Sequence, residues 1–192
     1  MEKINNNFEI QHLAENLFLN LNLADNPNAQ NEDGDTPIYC AAKNGQTEIV
    51  KILAPLTDNP NAPSENGDTP IYWAACFGHT EIVKILAPLT DNPNKSNKNG
   101  ETPIFWAARF GNTDIVKILA PMSDNPNAPN KIGETPIYWA ACAGHTEIVK
   151  ILASFTDNPN PPDINGITPI YWASSKGYTE IVKILAPLAR QS

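Results

Sequence analysis

Hydrophobic and polar positions recur along this chain with a period of 33 residues, as from residue 36 to residue 69. Within each period, two short apolar runs at helical spacing are separated by a glycine. The tripeptide Thr-Pro-Ile marks every copy, at Thr36, Thr69, Thr102, Thr135 and Thr168, with no insertion or deletion between copies. A period of this length predicts a solenoid, because each unit can bury its apolar face only against its neighbours.

The first half of one unit, residues 58–90, predicts a tight turn followed by a helix. Asn66 and Gly67 form the turn, since glycine readily adopts the positive φ that such turns need. Thr69 then offers a side-chain oxygen as the N-cap, and Pro70 takes the first helical position, where its missing N–H costs nothing. The turn is therefore expected to protrude as a hairpin next to the start of a first helix.

The second half of the unit predicts another helix. Gly78 ends the first helix as a left-handed residue, and His79 and Thr80 open the second. Pro88 is expected to end the second helix at about Ala87. Its apolar stripe consists of Ile82, Val83 and Leu86.

These residues together resemble the ankyrin repeat, whose pattern is G-x-T-P-L-H-x-A-A-x-x-G-H-x-E-I-V-x-x-L-L. The resemblance implies an all-α repeat solenoid of paired antiparallel helices with protruding β-turn hairpins. It also implies a concave face, built from hairpin tips and first helices, that binds other proteins. One departure is that Tyr or Phe replaces the His of the pattern, at Tyr39, Tyr72, Phe105, Tyr138 and Tyr171.

The period divides the chain into an N-terminal capping segment and five ankyrin-like repeats. Residues 1–24 do not repeat the unit and are expected to form a capping helix with an apolar stripe at Ile10, Leu13, Leu17 and Leu21. The repeats are expected at residues 25–57, 58–90, 91–123, 124–156 and 157–192, as one continuous array. Units this uniform are what design or very recent duplication produces.

Comparison of the five copies separates constant positions from variable ones. The variable positions coincide with those that face partners in ankyrin repeats, and together with the recurrent tryptophans they form the candidate partner-binding site. Its hairpin set is Glu32, Asp33, Asp35, Glu65, Asn66, Asp68, Lys98, Asn99, Glu101, Lys131, Ile132, Glu134, Ile164 and Ile167. Its helix set is Lys43, Trp73, Cys76, Phe77, Trp106, Arg109, Phe110 and Cys142.

Two features of this site favour partner contact over tolerated surface variation. Hairpin charge changes along the array from acidic to mixed to apolar. Aromatic and aliphatic residues also occupy positions expected to face water, and exposed apolar groups gathered on one face usually mark an interaction surface. These apolar residues are Phe77, Phe110, Ile132, Ile164 and Ile167. For the tryptophans, packing between repeats is the main expected role.

Composition narrows the class of partner and the compartment. A net charge of −8 argues against general binding of nucleic acid or anionic membranes, which needs a basic surface. Three cysteines without framework spacing favour a reducing compartment. With no apolar run long enough for a signal peptide or a membrane span, we expect a cytoplasmic monomer.

Residues that carry chemistry are missing from the sequence pattern. His79 and His145 lie two repeats apart without ligand spacing, so no metal site is expected. Single glycines form no phosphate-binding loop, and no carboxylate has a partnered nucleophile, so neither a cofactor nor catalysis is expected. The sequence predicts a non-catalytic protein-binding module that uses its concave groove. The alternative is an engineered or consensus-like ankyrin scaffold with no cognate target.

Overall fold

A computed structural model describes residues 26–186, which form five successive pairs of short helices. One pair falls in each of the five expected units. Each first helix packs against its own second helix, and helices of the same kind pack against each other from one repeat to the next. In chain order the helices are α1 (Pro37–Lys43), α2 (Thr47–Leu53), α3 (Pro70–Cys76), α4 (Thr80–Leu86), α5 (Pro103–Phe110), α6 (Thr113–Leu119), α7 (Pro136–Ala143), α8 (Thr146–Ala153), α9 (Pro169–Ser175) and α10 (Thr179–Leu185). The architecture is an all-α repeat solenoid, as the sequence predicts.

Threonine starts every first helix. In the middle repeat, the Thr102 hydroxyl oxygen accepts a hydrogen bond from the backbone N–H of Phe105 at 3.2 Å, and Pro103 takes the first position of the helix. A second cap comes from the loop ten residues before it, where the Asn94 side-chain oxygen accepts from the backbone N–H of Ile104 at 3.0 Å. Two of the free N–H groups at the helix start are thereby satisfied inside the protein.

The second helices end as α-helices close to the predicted position, but the proline does not end the helical path of the chain. The α-helix α4 ends at Leu86, one residue before the predicted end, but the chain continues as a 3₁₀ turn over Ala87–Leu89 that includes Pro88. The 3₁₀ turns Ala54–Leu56 and Ala120–Met122 repeat this arrangement. Proline fits there because its fixed φ is compatible with the tighter turn.

The core is a continuous layer between first and second helices. In each of the three middle repeats, the isoleucine of Thr-Pro-Ile, the alanine pair and the Ile-Val of the second helix are fully buried. Small alanines permit close approach of neighbouring helices. Burial therefore repeats with the sequence period, and each repeat completes its core only with residues from the next.

Side chains also interlock successive repeats. His145, which precedes α8, lies against the Gly111 that ends α5, so that a Cβ on Gly111 would come within 2.7 Å of the His145 ring. Its Nε2 donates to the Arg109 carbonyl oxygen at 3.3 Å. Asn112 donates in the same way to the Ala75 carbonyl oxygen at 2.8 Å. These residues thus satisfy carbonyl groups at the end of the preceding first helix.

The expected N-terminal capping helix at residues 1–24 lies outside the described residues, as do residues 187–192.

Candidate functional site

Hairpin tips form one edge of the candidate site. In the third hairpin, the Asn97 N–H donates to the Glu101 carbonyl oxygen at 2.9 Å, closing the turn. Neighbouring tips are joined by backbone hydrogen bonds, including Lys98 N–H to the Asn66 carbonyl at 2.9 Å and Ile164 N–H to the Ile132 carbonyl at 3.0 Å. An equivalent bond links the third and fourth tips, so the tips of repeats 2 to 5 form a connected row.

Asn97, which is not among the candidate residues predicted from the sequence, connects this row to the helices. Asn97 donates from its side chain to the Asp68 carboxylate at 2.9 Å and to the Glu101 carboxylate at 3.2 Å. The Tyr72 hydroxyl, on α3, donates to the same Glu101 carboxylate at 3.2 Å. The available signal was that every copy has Asn, Ser or Asp at this turn position, residue types whose side chains bond locally. Hairpins and first helices therefore share one continuous surface, here called the inner face.

Tyrosine and tryptophan connect successive first helices along the inner face. The Trp73 indole N–H donates to the Tyr39 hydroxyl of the preceding repeat, and the Trp172 indole N–H donates to the Tyr138 hydroxyl at 2.6 Å. At these two steps, the Tyr that stands in place of the His of the pattern is the hydrogen-bond acceptor. All four tryptophans are half-buried, so the predicted packing role is combined with partial exposure.

The two middle steps lack this bond. Trp106 stands edge-on to Tyr72, with ring centroids 6.2 Å apart, and its buried indole nitrogen has no hydrogen-bond partner in the structure. Trp139 meets Phe105, which has no hydroxyl, and donates to the Glu134 carboxylate at 3.1 Å instead. The aromatic contacts in the centre of the inner face are therefore less saturated with hydrogen bonds than those on either side.

Two exposed phenylalanines lie at this centre. Phe77 stacks on Trp73 and Phe110 on Trp106, each with ring centroids 5.6 Å apart. Their side chains remain 54% and 53% exposed. The stacking holds each ring in a defined orientation with one side facing solvent.

Arginine 109 lies between the tryptophans. Its guanidinium is 3.9 Å from the Trp139 ring centroid and 4.9 Å from that of Trp106. No carboxylate within residues 26–186 forms an ion pair with it. Cation–π contacts therefore fix this cation on the inner face while its hydrogen-bond donors stay available.

The cysteines in the helix set differ in accessibility. Cys142 is buried, at 9% exposure, and the Lys176 ammonium lies over it, 3.5 Å from Sγ and 2.8 Å from the Cys142 carbonyl oxygen. Cys76 is half-buried. Burial raises the pKa of the Cys76 thiol, and Asp68 and Glu101 raise it further against the opposing effect of Arg109. It is thus a neutral thiol near pH 7, and the buried Cys142 has little surface to offer a partner.

A family model described as ankyrin repeats (3 copies) matches four overlapping stretches, at residues 5–96, 52–130, 89–163 and 122–191. The chain belongs to the ankyrin repeat family. Ankyrin repeats are generally protein-interaction modules, and the family is typically non-enzymatic. A comparison with curated proteins finds no match.

Metal centres, membrane spans and clefts are the other kinds of site that an ankyrin array could contain. Among residues 26–186, no three His, Cys, Asp or Glu side chains come together in a group able to hold a metal ion. No helix in that same range combines the length and the hydrophobicity needed to cross a bilayer. A cleft of about 310 Å³ lies between the loops of repeats 3 and 4 and reaches the third hairpin at Gly100, and it is lined by Asp91, Asn92, Ser123 and Asp124 among others.

The remaining residues of the candidate site in the ankyrin array have two degrees of exposure. The exposed members are Glu32, Asp33, Glu65, Asn66, Lys98, Asn99, Lys131, Ile132 and Ile164. Those half-buried against the helices are Asp35, Asp68, Glu101, Glu134 and Ile167. Lys43, in the helix set, is exposed and lies over the Trp73 ring at 4.6 Å.

Proposed function

We propose that this ankyrin repeat protein binds a protein partner through its inner face and has no catalytic role of its own. The observation that carries the proposal is a central cluster in which tryptophans orient the exposed rings of Phe77 and Phe110 and the half-buried Arg109. Aromatic residues and arginine dominate the energetically important positions of protein interfaces. The hairpin and helix sets are the proposed contact residues, among which the buried Cys142 contributes least.

The free energy of covering the two rings and the length of the inner face agree with a binding role. Covering the exposed half of a phenylalanine ring removes on the order of 100 Å² from water, which contributes about 2.5 kcal/mol. Because stacking already restricts both rings, little side-chain entropy is lost when a partner covers them. Five repeats at ~10 Å each offer a surface about 50 Å long, enough for a standard interface of about 800 Å² per partner.

The proposal is tested by substituting the two exposed rings together. Proteins captured from a cell lysate by the immobilised wild-type chain are identified by mass spectrometry, and the affinity of each purified candidate is measured. For a partner of the inner face, Phe77→Ala with Phe110→Ala should weaken binding at least tenfold. Because both rings are half exposed, the melting temperature should fall by no more than ~5 °C.

A matched control removes two exposed apolar side chains from the other edge of the array. Leu56 and Leu89 are each 49% exposed on the 3₁₀ turns that follow α2 and α4. The double change Leu56→Ala with Leu89→Ala should leave the affinity unchanged. If the Phe variant binds as well as the wild type, the inner face is not the binding surface. A chain that captures nothing would instead support the alternative, an ankyrin scaffold without a cognate target.

A further inference from the structure

The apolar surface at the centre of the inner face is flanked by hairpins of very different character. In the hairpin set, repeats 1 and 2 have no cation. They have five carboxylates: Glu32, Asp33, Asp35, Glu65 and Asp68. In repeats 3 and 4, lysine balances glutamate. In repeat 5 the corresponding positions are Ile164, Asn165 and Ile167. The inner face thus has a negative end and an apolar end.

Charges on the second helices are balanced, and those at the negative end are not. Glu48 pairs with Lys51 and Glu81 with Lys84, each at 2.6 Å. Between repeats, Lys117 lies 3.9 Å from Glu147. No ion pair within residues 26–186 involves any carboxylate of the first two hairpins. Within the inner face, the uncompensated negative charge is therefore concentrated at these hairpins.

The carboxylates of the first two hairpins raise the pKa of neighbouring acidic groups. Burial raises the pKa of the Asp35 carboxyl, the nearby Lys43 lowers it, and Asp33 and Asp68 each raise it. The pKa of the Cys40 thiol is raised by burial and then by Asp35. A cation placed over these carboxylates would relieve their mutual repulsion.

The opposite end presents aliphatic side chains on adjoining tips. Ile132 and Ile164 are 47% and 69% exposed, and the backbone bond between them keeps the two tips adjacent. Ile167 occupies the position that holds Asp35 in the first hairpin. Apolar side chains at the tips of hairpins are stable in water only at a cost, which a partner's aliphatic residues would remove.

We propose that the partner contributes one continuous segment with lysine or arginine in one half and aliphatic residues in the other, its basic half lying over repeats 1 and 2. This inference rests on the proposed function. Four steps of ~10 Å separate the first tip from the last, about 40 Å in all. An extended segment of about 12 residues or a helix of about 27 residues spans that distance.

The test selects binders from a display library of random 30-residue peptides with the whole chain as bait. Enriched peptides should carry at least three Lys or Arg residues in one half and aliphatic residues in the other. A photo-crosslinker at the basic end of an enriched peptide should attach to repeats 1 or 2. Attachment of that end to repeat 5 would contradict the proposed direction.

Charge reversal supplies the decisive comparison. With Glu32→Lys, Asp33→Lys and Glu65→Lys in the bait, the enriched peptides should bind at least tenfold more weakly, and a fresh selection should lose the basic half while keeping the aliphatic one. The matched control reverses Glu48, Glu81 and Glu147 on the second helices and should leave peptide affinity within threefold.

The outcomes separate this inference from the proposed function. Two results overturn the inference and leave the inner face as the binding surface. In one, the enriched peptides need Phe77 and Phe110 but have no basic half. In the other, the enriched peptides bind the charge-reversed bait as well as the original bait. A library that yields no peptide also overturns it, because the proposed partner element is a single segment. The capture experiment with the Phe variant decides the proposed function independently.

Discussion

At the scale of single residues, two tryptophans in equivalent positions differ in whether the indole N–H has an acceptor. Trp73 donates to the Tyr39 hydroxyl, whereas the buried nitrogen of Trp106 has no partner in the structure. Their other contacts are closely matched, since each stacks on a phenylalanine and lies under a cationic side chain. The pair therefore isolates the value of one hydrogen bond on the inner face.

We expect Trp73→Phe to reduce the free energy of unfolding by about 1–3 kcal/mol more than Trp106→Phe. The first change removes a hydrogen bond and leaves the buried Tyr39 hydroxyl without its donor. The second removes an indole N–H that is buried without an acceptor. Urea unfolding of both variants, with m-values checked for equality, measures the difference. Equal losses would show that the Trp106 N–H has an acceptor after all.

At the scale of the element, the first helices of repeats 2 to 5 each depend on an asparagine in the preceding loop. Asn94 and Ile104 are buried, so the bond from the Ile104 N–H to the Asn94 side chain is closed to water. Asn160 makes the same bond to Ile170 at 2.8 Å, but both of those residues are half exposed. The same cap therefore has different surroundings in two repeats.

Asn94→Ala is expected to cost about 1–3 kcal/mol of stability, because it leaves a buried N–H group unsatisfied. Asn160→Ala should cost less than about 1 kcal/mol, since water can reach the Ile170 N–H. Guanidinium unfolding of the two variants side by side gives the comparison. A similar loss in both would mean that burial does not determine the strength of this cap.

At the scale of the whole molecule, the core is shared between neighbouring repeats and cannot be divided into independent parts. Leu119 in the third repeat is fully buried, and its helix α6 packs against α4 and α8. In arrays of this kind, stability is the sum of weak units and strong interfaces between neighbours. Damage to the middle repeat should therefore affect the entire array.

Leu119→Ala should lower the free energy of unfolding by about 2–5 kcal/mol and still give one transition. Far-UV circular dichroism reports on all helices, and fluorescence reports on the tryptophans of repeats 2 to 5, so the two melting curves should coincide. The exposed Leu89→Ala is the control and should cost less than about 0.5 kcal/mol. Separate transitions by the two probes would contradict a cooperative array.

Local chemistry was sufficient to predict the elements of this fold. Thr102 and Pro103 specify a helix start, and Gly111 specifies its end, through interactions that reach only a few residues along the chain. Each recurs at every period, so the order of helices and the existence of a shared core also follow from the sequence. The sequence predicted that Pro88 ends the α-helix, but it did not predict the 3₁₀ turn that follows, because that turn depends on how the chain packs on its neighbours.

Only the tertiary structure decided which side chains of the candidate site are open and which are covered. Cys76 and Cys142 hold the same position in the repeat, yet only Cys142 is covered by the lysine of the next repeat, Lys176. The position equivalent to Lys176 in the repeat after Cys76 is Phe110, which stacks on Trp106. The Tyr72 hydroxyl similarly donates to Glu101 and accepts from the Asn97 side chain at 3.4 Å instead of from Trp106. These choices are made between residues about 30 positions apart, where several partners compete at similar energy. The period of the sequence fixes the stack, and the packing between repeats fixes its surface.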